Sequence, residues 1–198
     1  DFNGDGYSDF ALAQMPTTGI GTGPVYVYYG SASPTAWNSN NLTLAGNGRG
    51  FRITGLTGSN SQKFESTNMG DINGDGMDDM IFNDFVNNAY VLFGKTSDAP
   101  VQVSSLTAGV GGFKLIGASV NGITDVDMVG DFNGDGLSDM LVSQYSMPLN
   151  STSAIGVSYL VYGRTGTTTL TLSDLAATEG FRINGVSPNG YSGYSVSA

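Results

Sequence analysis

The chain contains no cysteine and no histidine among its 198 residues. Without cysteine, neither a disulfide framework nor a thiol nucleophile is possible. Without either residue type, Ser-His-Asp and Cys-His arrangements cannot exist, and zinc hydrolysis lacks its usual ligands. Paired carboxylates could still hydrolyse a glycoside, but the acids outside the repeated phrase described below show no pattern that selects two of them. We therefore predict that the protein is not an enzyme.

Positive charge and long apolar runs are also scarce. Seven lysines and arginines stand against seventeen acidic residues, which gives a formal net charge of -10. This balance argues against nucleic acid or an anionic membrane surface as a partner. No apolar run approaches the roughly 18 residues of a membrane span, so we expect no membrane insertion.

Glycine and short runs of β-branched and aromatic residues are abundant. Thirty glycines and a charged fraction of only 12% fit short strands joined by turns better than helices. The composition therefore predicts an all-β chain.

Three signals recur in fixed order. The first is an acidic phrase, DFNGDGYSD at residue 1, DINGDGMDD at residue 71 and DFNGDGLSD at residue 131. The second is an aromatic run that ends in glycine: PVYVYYG (24–30), AYVLFG (89–94) and SYLVYG (158–163). The third is GFRITG (50–55), GFKLIG (112–117) and GFRING (180–185). The acidic phrases begin 70 and 60 residues apart. Self-similarity at such a period indicates a repeat architecture.

Each unit predicts four short strands. One precedes the acidic phrase, as in KFESTNMG (63–70) or TDVDMVG (124–130), and one follows it. The aromatic run and the GF(R/K) run supply the other two. The aromatic run is apolar on both faces, which is expected of a strand between two layers, as in neighbouring blades of a β-propeller. We predict one propeller module over residues 1–198, built of four-stranded antiparallel blades.

The first unit lacks its opening strand, and the last residues of the chain supply an equivalent one. The predicted blades are 194–198 plus 1–55, then 62–117, then 124–185. Three blades are too few for a closed ring, because propellers typically use four to eight. We expect either neighbouring repeats of a longer parent protein or a six-bladed homodimer, in which the C-terminal strand of each chain completes the first blade of the other. The structural alternative is a monomer that folds this strand back on itself.

The acidic phrase has the spacing of a cation-binding loop. In D-x-N-G-D-G-x-x-D, side-chain oxygens stand at positions 1, 3, 5 and 9, a backbone carbonyl is available at position 7, and glycines at 4 and 6 permit a sharp turn. Calcium accepts six to eight oxygens in flexible geometry and suits this set better than magnesium. Transition metals would favour histidine or cysteine. The predicted ligands of three calcium ions are Asp1, Asn3, Asp5, Tyr7, Asp9, Asp71, Asn73, Asp75, Met77, Asp79, Asp131, Asn133, Asp135, Leu137 and Asp139, with Tyr7, Met77 and Leu137 acting through their carbonyls.

The acidic phrase has two alternative interpretations, an EF-hand and a turn without metal. An EF-hand needs an acid at position 12 and flanking helices, but that position is Leu12, Phe82 or Val142, in runs that alternate like strands. A solvated turn without metal is also typical of Asn, Gly and Asp. However, three closely spaced aspartates in each phrase would repel one another if they were not neutralised. Three calcium ions would change the formal net charge from -10 to -4, and calcium is expected to stabilise the fold.

The order of strand, acidic loop, strand and aromatic strand ending in Phe-Gly or Tyr-Gly resembles the FG-GAP repeat of the integrin α-subunit N-terminal propeller and its bacterial relatives. The resemblance covers essentially the whole chain, although LAQMP, FNDFV and VSQYS stand where the "GAP" tripeptide would fall. It implies a propeller with calcium in the loop between the first two strands of a blade, used outside the cell for adhesion or ligand binding. Integrin members close with seven blades, and three units depart from that number.

The expected function is therefore a calcium-stabilised scaffold, extracellular or at the cell surface, for adhesion or for recognition of a protein or glycan. The alternative is a carbohydrate-binding lectin, because Trp37, Tyr145, Tyr191 and Tyr194 lie in loops between strands, although such aromatics are also typical of packing. Arg52, Lys114 and Arg182 occupy equivalent places in the GF(R/K) strands. We predict that they protect an outer sheet edge from pairing; the alternative is a ring of cations for an anionic ligand.

Overall fold

The structure is a computed structural model, and it describes residues 1–14, 23–33, 48–56, 69–84, 86–118, 122–148 and 154–197. In these ranges the chain is mostly β, with one short helix, α1 (Val103–Thr107), and one 3-10 turn at Leu172–Asp174. This confirms the all-β prediction. The strands are β1 (Phe10–Ala13), β2 (Val25–Tyr28), β3 (Gly50–Thr54), β4 (Met69–Gly70), β5 (Asp79–Asn83), β6 (Asn88–Leu92), β7 (Val101–Gln102), β8 (Gly112–Ile116), β9 (Asp125–Gly130), β10 (Asp139–Gln144), β11 (Val157–Val161), β12 (Leu170–Thr171) and β13 (Gly180–Asn184).

The described strands form three sheets that follow one another along the chain. Sheet 1 has the order β1-β2-β3-β7, sheet 2 the order β4-β5-β6-β8-β12, and sheet 3 the order β9-β10-β11-β13. Strands that are neighbours within one repeat pair antiparallel. Sheet 3 therefore contains the four strands that the repeat predicts, and sheet 2 contains those four and one more.

Two short parallel strands tie each sheet to the next. β7 pairs with β3 of sheet 1, and β12 pairs with β8 of sheet 2. Both lie in the segment between the aromatic strand and the GF(R/K) strand of the following repeat. The GF(R/K) strands of sheets 1 and 2 are therefore not edge strands, and the prediction that Arg52 and Lys114 protect a free edge is wrong. Strands pair through backbone hydrogen bonds. A cationic side chain on the face of β3 or β8 therefore does not prevent β7 or β12 from pairing with that strand.

The apolar core lies between the sheets. One cluster joins residues of sheets 1 and 2, including Val27, Phe51 and Phe82. A second cluster joins sheets 2 and 3, including Val91, Phe113 and Val142. Because side chains alternate along a strand, sheet 2 contributes residues to both clusters and is buried on both faces. The predicted burial of the aromatic strand on both sides is confirmed in this sheet.

The C-terminal residues differ from the prediction. Residues 194–197 form no strand, and residue 198 lies outside the described ranges, so the predicted strand Tyr194–Ala198 is not formed within the single chain. The backbone N–H of Val196 instead donates to Asp125 Oδ2 at 2.8 Å, and the Tyr194 ring packs on Tyr145 with centroids 5.0 Å apart. Residues 185–193 connect β13 to the tail, and the tail stays beside sheet 3 because Asp125 of β9 accepts the Val196 N–H. Within the described residues, no strand pairs with the free edge of β1.

Two further predictions fall partly or wholly outside the described residues. Of KFESTNMG, only Met69 and Gly70 are described, and they form β4. Trp37 is not among the described residues. Across the described ranges, no helix combines the length and apolar character that a membrane crossing would need.

Candidate metal-binding loops

The three acidic phrases share one local hydrogen-bond pattern. We call residues 1–9 loop 1, residues 71–79 loop 2 and residues 131–139 loop 3, and we number positions 1 to 9 within each. In loop 1 the carboxylate at position 1 accepts the N–H groups of positions 5 and 6 at 2.9 and 2.7 Å. The asparagine at position 3 accepts the N–H of position 5, and the aspartate at position 5 accepts the N–H of position 7. Loops 2 and 3 repeat these bonds.

The residue types explain this geometry. Aspartate and asparagine side chains readily accept the backbone N–H two residues further on, which makes an Asx turn. The glycines at positions 4 and 6 have φ between 73° and 91° in all three loops, a region that other residues adopt at a cost. The side-chain oxygens of positions 1, 3 and 5 are therefore collected around one turn, and position 5 is exposed in every loop.

The aspartate at position 9 has a different environment. Asp79 accepts the N–H of Ile72 at 2.9 Å through Oδ2, and the N–H of Gly94 at 2.7 Å through Oδ1. Asp9 and Asp139 accept equivalent bonds. One oxygen accepts the N–H groups of positions 2 and 3, and the other accepts the N–H of the glycine that ends the aromatic run of the same sheet. Position 9 thus fastens the loop to the aromatic strand. Sequence reasoning missed this role, although the glycine repeated at the end of each aromatic run was a signal for it.

Burial dominates the electrostatics of Asp79. It raises the pKa of this carboxyl to about 7, and the charges of Asp75 and Asp71 act in the same direction. The N–H groups of Gly94 and Ile72 oppose the shift because they stabilise the carboxylate. The negative charge of Asp79 is therefore costly unless a cation lies nearby.

The loops offer the oxygen donors that a hard cation prefers, but they gather only some of those donors around one point. All the side chains that the loops collect bear oxygen, and the carbonyls of Tyr7, Met77 and Leu137 accept no backbone hydrogen bond from any described residue. At position 9, the carboxylate oxygen that accepts the glycine N–H at the end of the aromatic run keeps a second lone pair. However, no three acidic side chains of the described residues are gathered into a group that could hold a metal ion. The loops bring positions 1, 3 and 5 together, while position 9 points to the backbone below.

Successive loops are joined by a second set of hydrogen bonds, which we call the loop ladder. The N–H at position 8 donates to the carbonyl at position 1 of the preceding loop, Asp78 to Asp1 at 3.0 Å and Ser138 to Asp71 at 2.8 Å. The N–H that follows the glycine of the aromatic run donates to the carbonyl at position 2, Lys95 to Phe2 at 3.0 Å and Arg164 to Ile72 at 2.8 Å. The ladder places the three loops side by side across the sheets.

The cations that follow the aromatic runs also lie across sheet boundaries. Lys95 Nζ is 3.9 Å from the centroid of the Phe51 ring, and the Arg164 guanidinium is 5.5 Å from that of Phe113. Burial lowers the pKa of Lys95 to about 8, although the nearby charge of Asp98 opposes this shift. These repeat-equivalent residues contribute to the contact between sheets.

Three of the predicted surface aromatics lie together. Tyr145 packs against Tyr191 and Tyr194, with ring centroids 5.9 and 5.0 Å apart. Tyr191 and Tyr194 are exposed, and Tyr194 is within two residues of the contact between Val196 and Asp125. We call Tyr145, Tyr191 and Tyr194 the tyrosine cluster.

Comparison of the chain with protein-family models and with curated proteins finds no match.

Proposed function

We propose that the protein is a calcium-binding β-propeller module that acts outside the cell, or at its surface, as a scaffold for adhesion or ligand recognition. In this proposal the three sheets are FG-GAP-like blades, loops 1 to 3 each hold one calcium ion, and the metal is structural and not catalytic. The observation that carries the proposal is the repetition of one oxygen-rich turn in all three loops, with the same bonds at positions 1, 3 and 5.

The proposed ligands are those that the sequence predicts, and each has a separate part. Positions 1, 3 and 5 supply side-chain oxygens, of which position 5 is exposed in every loop, and position 7 supplies its carbonyl. The position 9 carboxylate, which bonds the backbone below the loop, would complete the set by turning a spare lone pair toward the ion. A divalent ion there would offset the burial that raises the pKa of Asp79 and would also neutralise the nearby charges of Asp75 and Asp71. Since the loops also form the loop ladder, metal binding would stiffen the contacts between sheets.

Calcium titration by calorimetry, together with thermal unfolding, tests this proposal. We expect three ions per chain for the wild type. Asp135 is exposed and lies in loop 3, so Asp135→Asn should reduce the number to two without unfolding the chain. Each occupied site should stabilise the fold by about 2.7 kcal/mol when free calcium is about 100 times the Kd.

The matched control is Asp174→Asn, which removes an exposed carboxylate far from the loops in sequence and should leave three ions bound. A wild type that shows neither binding heat nor a shift in Tm at millimolar calcium would remove the calcium proposal. An equal response to magnesium would contradict the choice of metal.

The proposed ring contains six blades from two chains, in which residues 194–198 of each chain complete the first blade of the other. In the single chain this tail is held to sheet 3 by the bond from Val196 to Asp125, and strand pairing with the free edge of β1 would replace that bond. Deletion of residues 194–198 should then convert the dimer to a monomer in light scattering. An unchanged dimer would contradict strand exchange. Neighbouring repeats of a longer parent are the other proposed source of blades.

Carbohydrate recognition is a second candidate function, and the tyrosine cluster favours it. Sugars stack on exposed aromatic rings, and the rings of Tyr191 and Tyr194 are exposed. A glycan array run with calcium should show binding by the wild type and its loss in Tyr194→Ala. Since Tyr194 is 72% exposed, this change should leave the fold intact. Silence of the wild type on the array would count against a lectin.

A further inference from the structure

We propose that sheet 3 docks onto sheet 1 of a second copy of this chain, through the loop ladder that already joins sheet 1 to sheet 2 and sheet 2 to sheet 3. The inference rests on the proposed blade architecture but does not require calcium.

The two junctions within the chain define what such a contact needs. The preceding sheet supplies the carbonyls of positions 1 and 2, and the following sheet supplies two N–H donors. The side chain at position 2 is buried at both junctions, with Phe2 and Ile72 each 0% exposed. The side chain at position 7 lies over the glycine at position 4 of the preceding loop. Met77 Cγ is 3.2 Å from a Cβ built on Gly4, and Leu137 Cδ2 is 2.9 Å from one built on Gly74.

Sheet 3 presents the acceptor side of this junction uncovered. Phe132, at position 2 of loop 3, is 64% exposed, whereas its two equivalents are fully buried. The carbonyls of Asp131 and Phe132 accept no backbone hydrogen bond from the described residues, and a Cβ built on Gly134 would meet no atom within 4 Å. Phe181 and Ile183 of β13 are also exposed, while the matching residues of sheets 1 and 2 are buried. Sheet 3 thus lacks the following sheet that covers the other two.

Sheet 1 presents the donor side uncovered. The N–H groups of Ser8 and Ser31, which correspond to the ladder donors, have no acceptor among the described residues. Tyr7, the position 7 residue that would lie over Gly134, is exposed. Leu12 of β1 is 54% exposed, although its equivalents in β5 and β10, Phe82 and Val142, are fully buried against a preceding sheet.

The two open sides are complementary, and a single chain cannot join them because sheet 2 lies between sheets 1 and 3. A second copy offers donors to acceptors and Tyr7 to Gly134, and two copies satisfy both junctions with two-fold symmetry.

One difference from the internal junctions remains. Ser31 stands where Lys95 and Arg164 place a cation over a phenylalanine ring. The junction between copies therefore lacks this contact, so we expect it to be weaker than the internal ones.

Light scattering on paired variants tests the junction. Phe132→Ser damages the acceptor side and Leu12→Ser the donor side, and both side chains are exposed, so neither change should unfold the chain. We expect the wild type to be a dimer at about 100 µM, a concentration at which even weak association is populated, and each variant to be a monomer. An equimolar mixture of the two variants should form a heterodimer, because one intact donor side then meets one intact acceptor side. Circular dichroism and the urea midpoint check that both variants fold.

The matched control is Val110→Ser, which replaces a side chain that is also 64% exposed but lies in the turn before β8. It should leave the dimer intact. A monomeric wild type, a control that also dissociates, or a mixture that stays monomeric while the wild type dimerises would each overturn the proposal. The series is run in calcium and in chelator. Metal binding without assembly contradicts this junction and the six-bladed ring but leaves the calcium proposal standing, and assembly without metal binding contradicts only the calcium proposal.

Discussion

At the scale of single residues, the aspartate at position 9 is the point where loop and sheet meet. Its two oxygens serve different elements, since one accepts the loop backbone and the other accepts the glycine of the aromatic run. These hydrogen bonds offset part of the cost of burying the carboxylate. Its contribution to folding should therefore be measurable in the absence of metal.

Asp79→Asn tests this structural role. Asparagine has one acceptor oxygen, so one of the N–H groups of Ile72 and Gly94 would face the new amide NH₂ and lose its bond. We expect the free energy of unfolding to fall by about 1–3 kcal/mol, measured by urea unfolding in chelator. Asp174→Asn, which changes an exposed carboxylate, is the control and should change stability by less than about 0.5 kcal/mol. Equal effects of the two substitutions would show that Asp79 does not fasten the loop.

At the scale of elements, the contact between sheets depends on close approach at the end of each aromatic run. A Cβ at Gly94 would lie 2.5 Å from Met77 Cβ, 2.8 Å from the Phe2 carbonyl and 2.9 Å from the Asp78 carbonyl. Two of these neighbours are backbone oxygens, which cannot move without disturbing loops 1 and 2. The glycine is therefore required by packing, and not by its own backbone conformation.

Gly94→Ala should weaken the contact between sheets 1 and 2. We expect a loss of about 1–3 kcal/mol of stability from overpacking, measured by chemical unfolding. The control is Gly166→Ala, because the closest atoms to its Cβ belong to the flexible Arg164 side chain, and it should be near neutral. If Gly94→Ala is as stable as the control, the close approach between the loops is not a constraint on the fold.

At the scale of the whole molecule, burial is uneven between the sheets. Sheet 2 contributes to both apolar clusters, while β1 of sheet 1 exposes most of its side chains and has one unpaired edge among the described residues. Local stability follows the density of buried contacts and of protected hydrogen bonds. The central sheet should therefore be the last part to open.

Hydrogen exchange tests this order when it is measured at a concentration at which light scattering finds a monomer. We expect the amides of β5 and β6 to exchange slowest and those of β1 to exchange fastest among the strands. The comparison within one molecule is its own control, because pH and temperature are identical for all amides. Equal protection of β1 and β5 would contradict the view that the faces of sheet 1 and sheet 3 are open ends.

The order of strands in each repeat was predictable because it depends on local chemistry. Alternating β-branched and aromatic residues bounded by glycine predicted β6, β8 and β11, and the period of the repeat placed equivalent strands in all three sheets. The turn at positions 1 to 6 was also predictable from the sequence, since asparagine and aspartate side chains bond backbone N–H groups a few residues away and glycine permits the turn.

The sequence by itself determined the all-β class, the three repeats and the oxygen-rich turns, because each depends on residues that are close along the chain. Only the tertiary structure decided that β7 and β12 cover the outer edges of the sheets before them, that position 9 bonds to the aromatic strand, and that residues 194–197 stay beside sheet 3. Two-residue strands carry no periodicity, and a hydrogen bond between residues far apart in sequence depends on which backbone groups the packed sheets leave within reach.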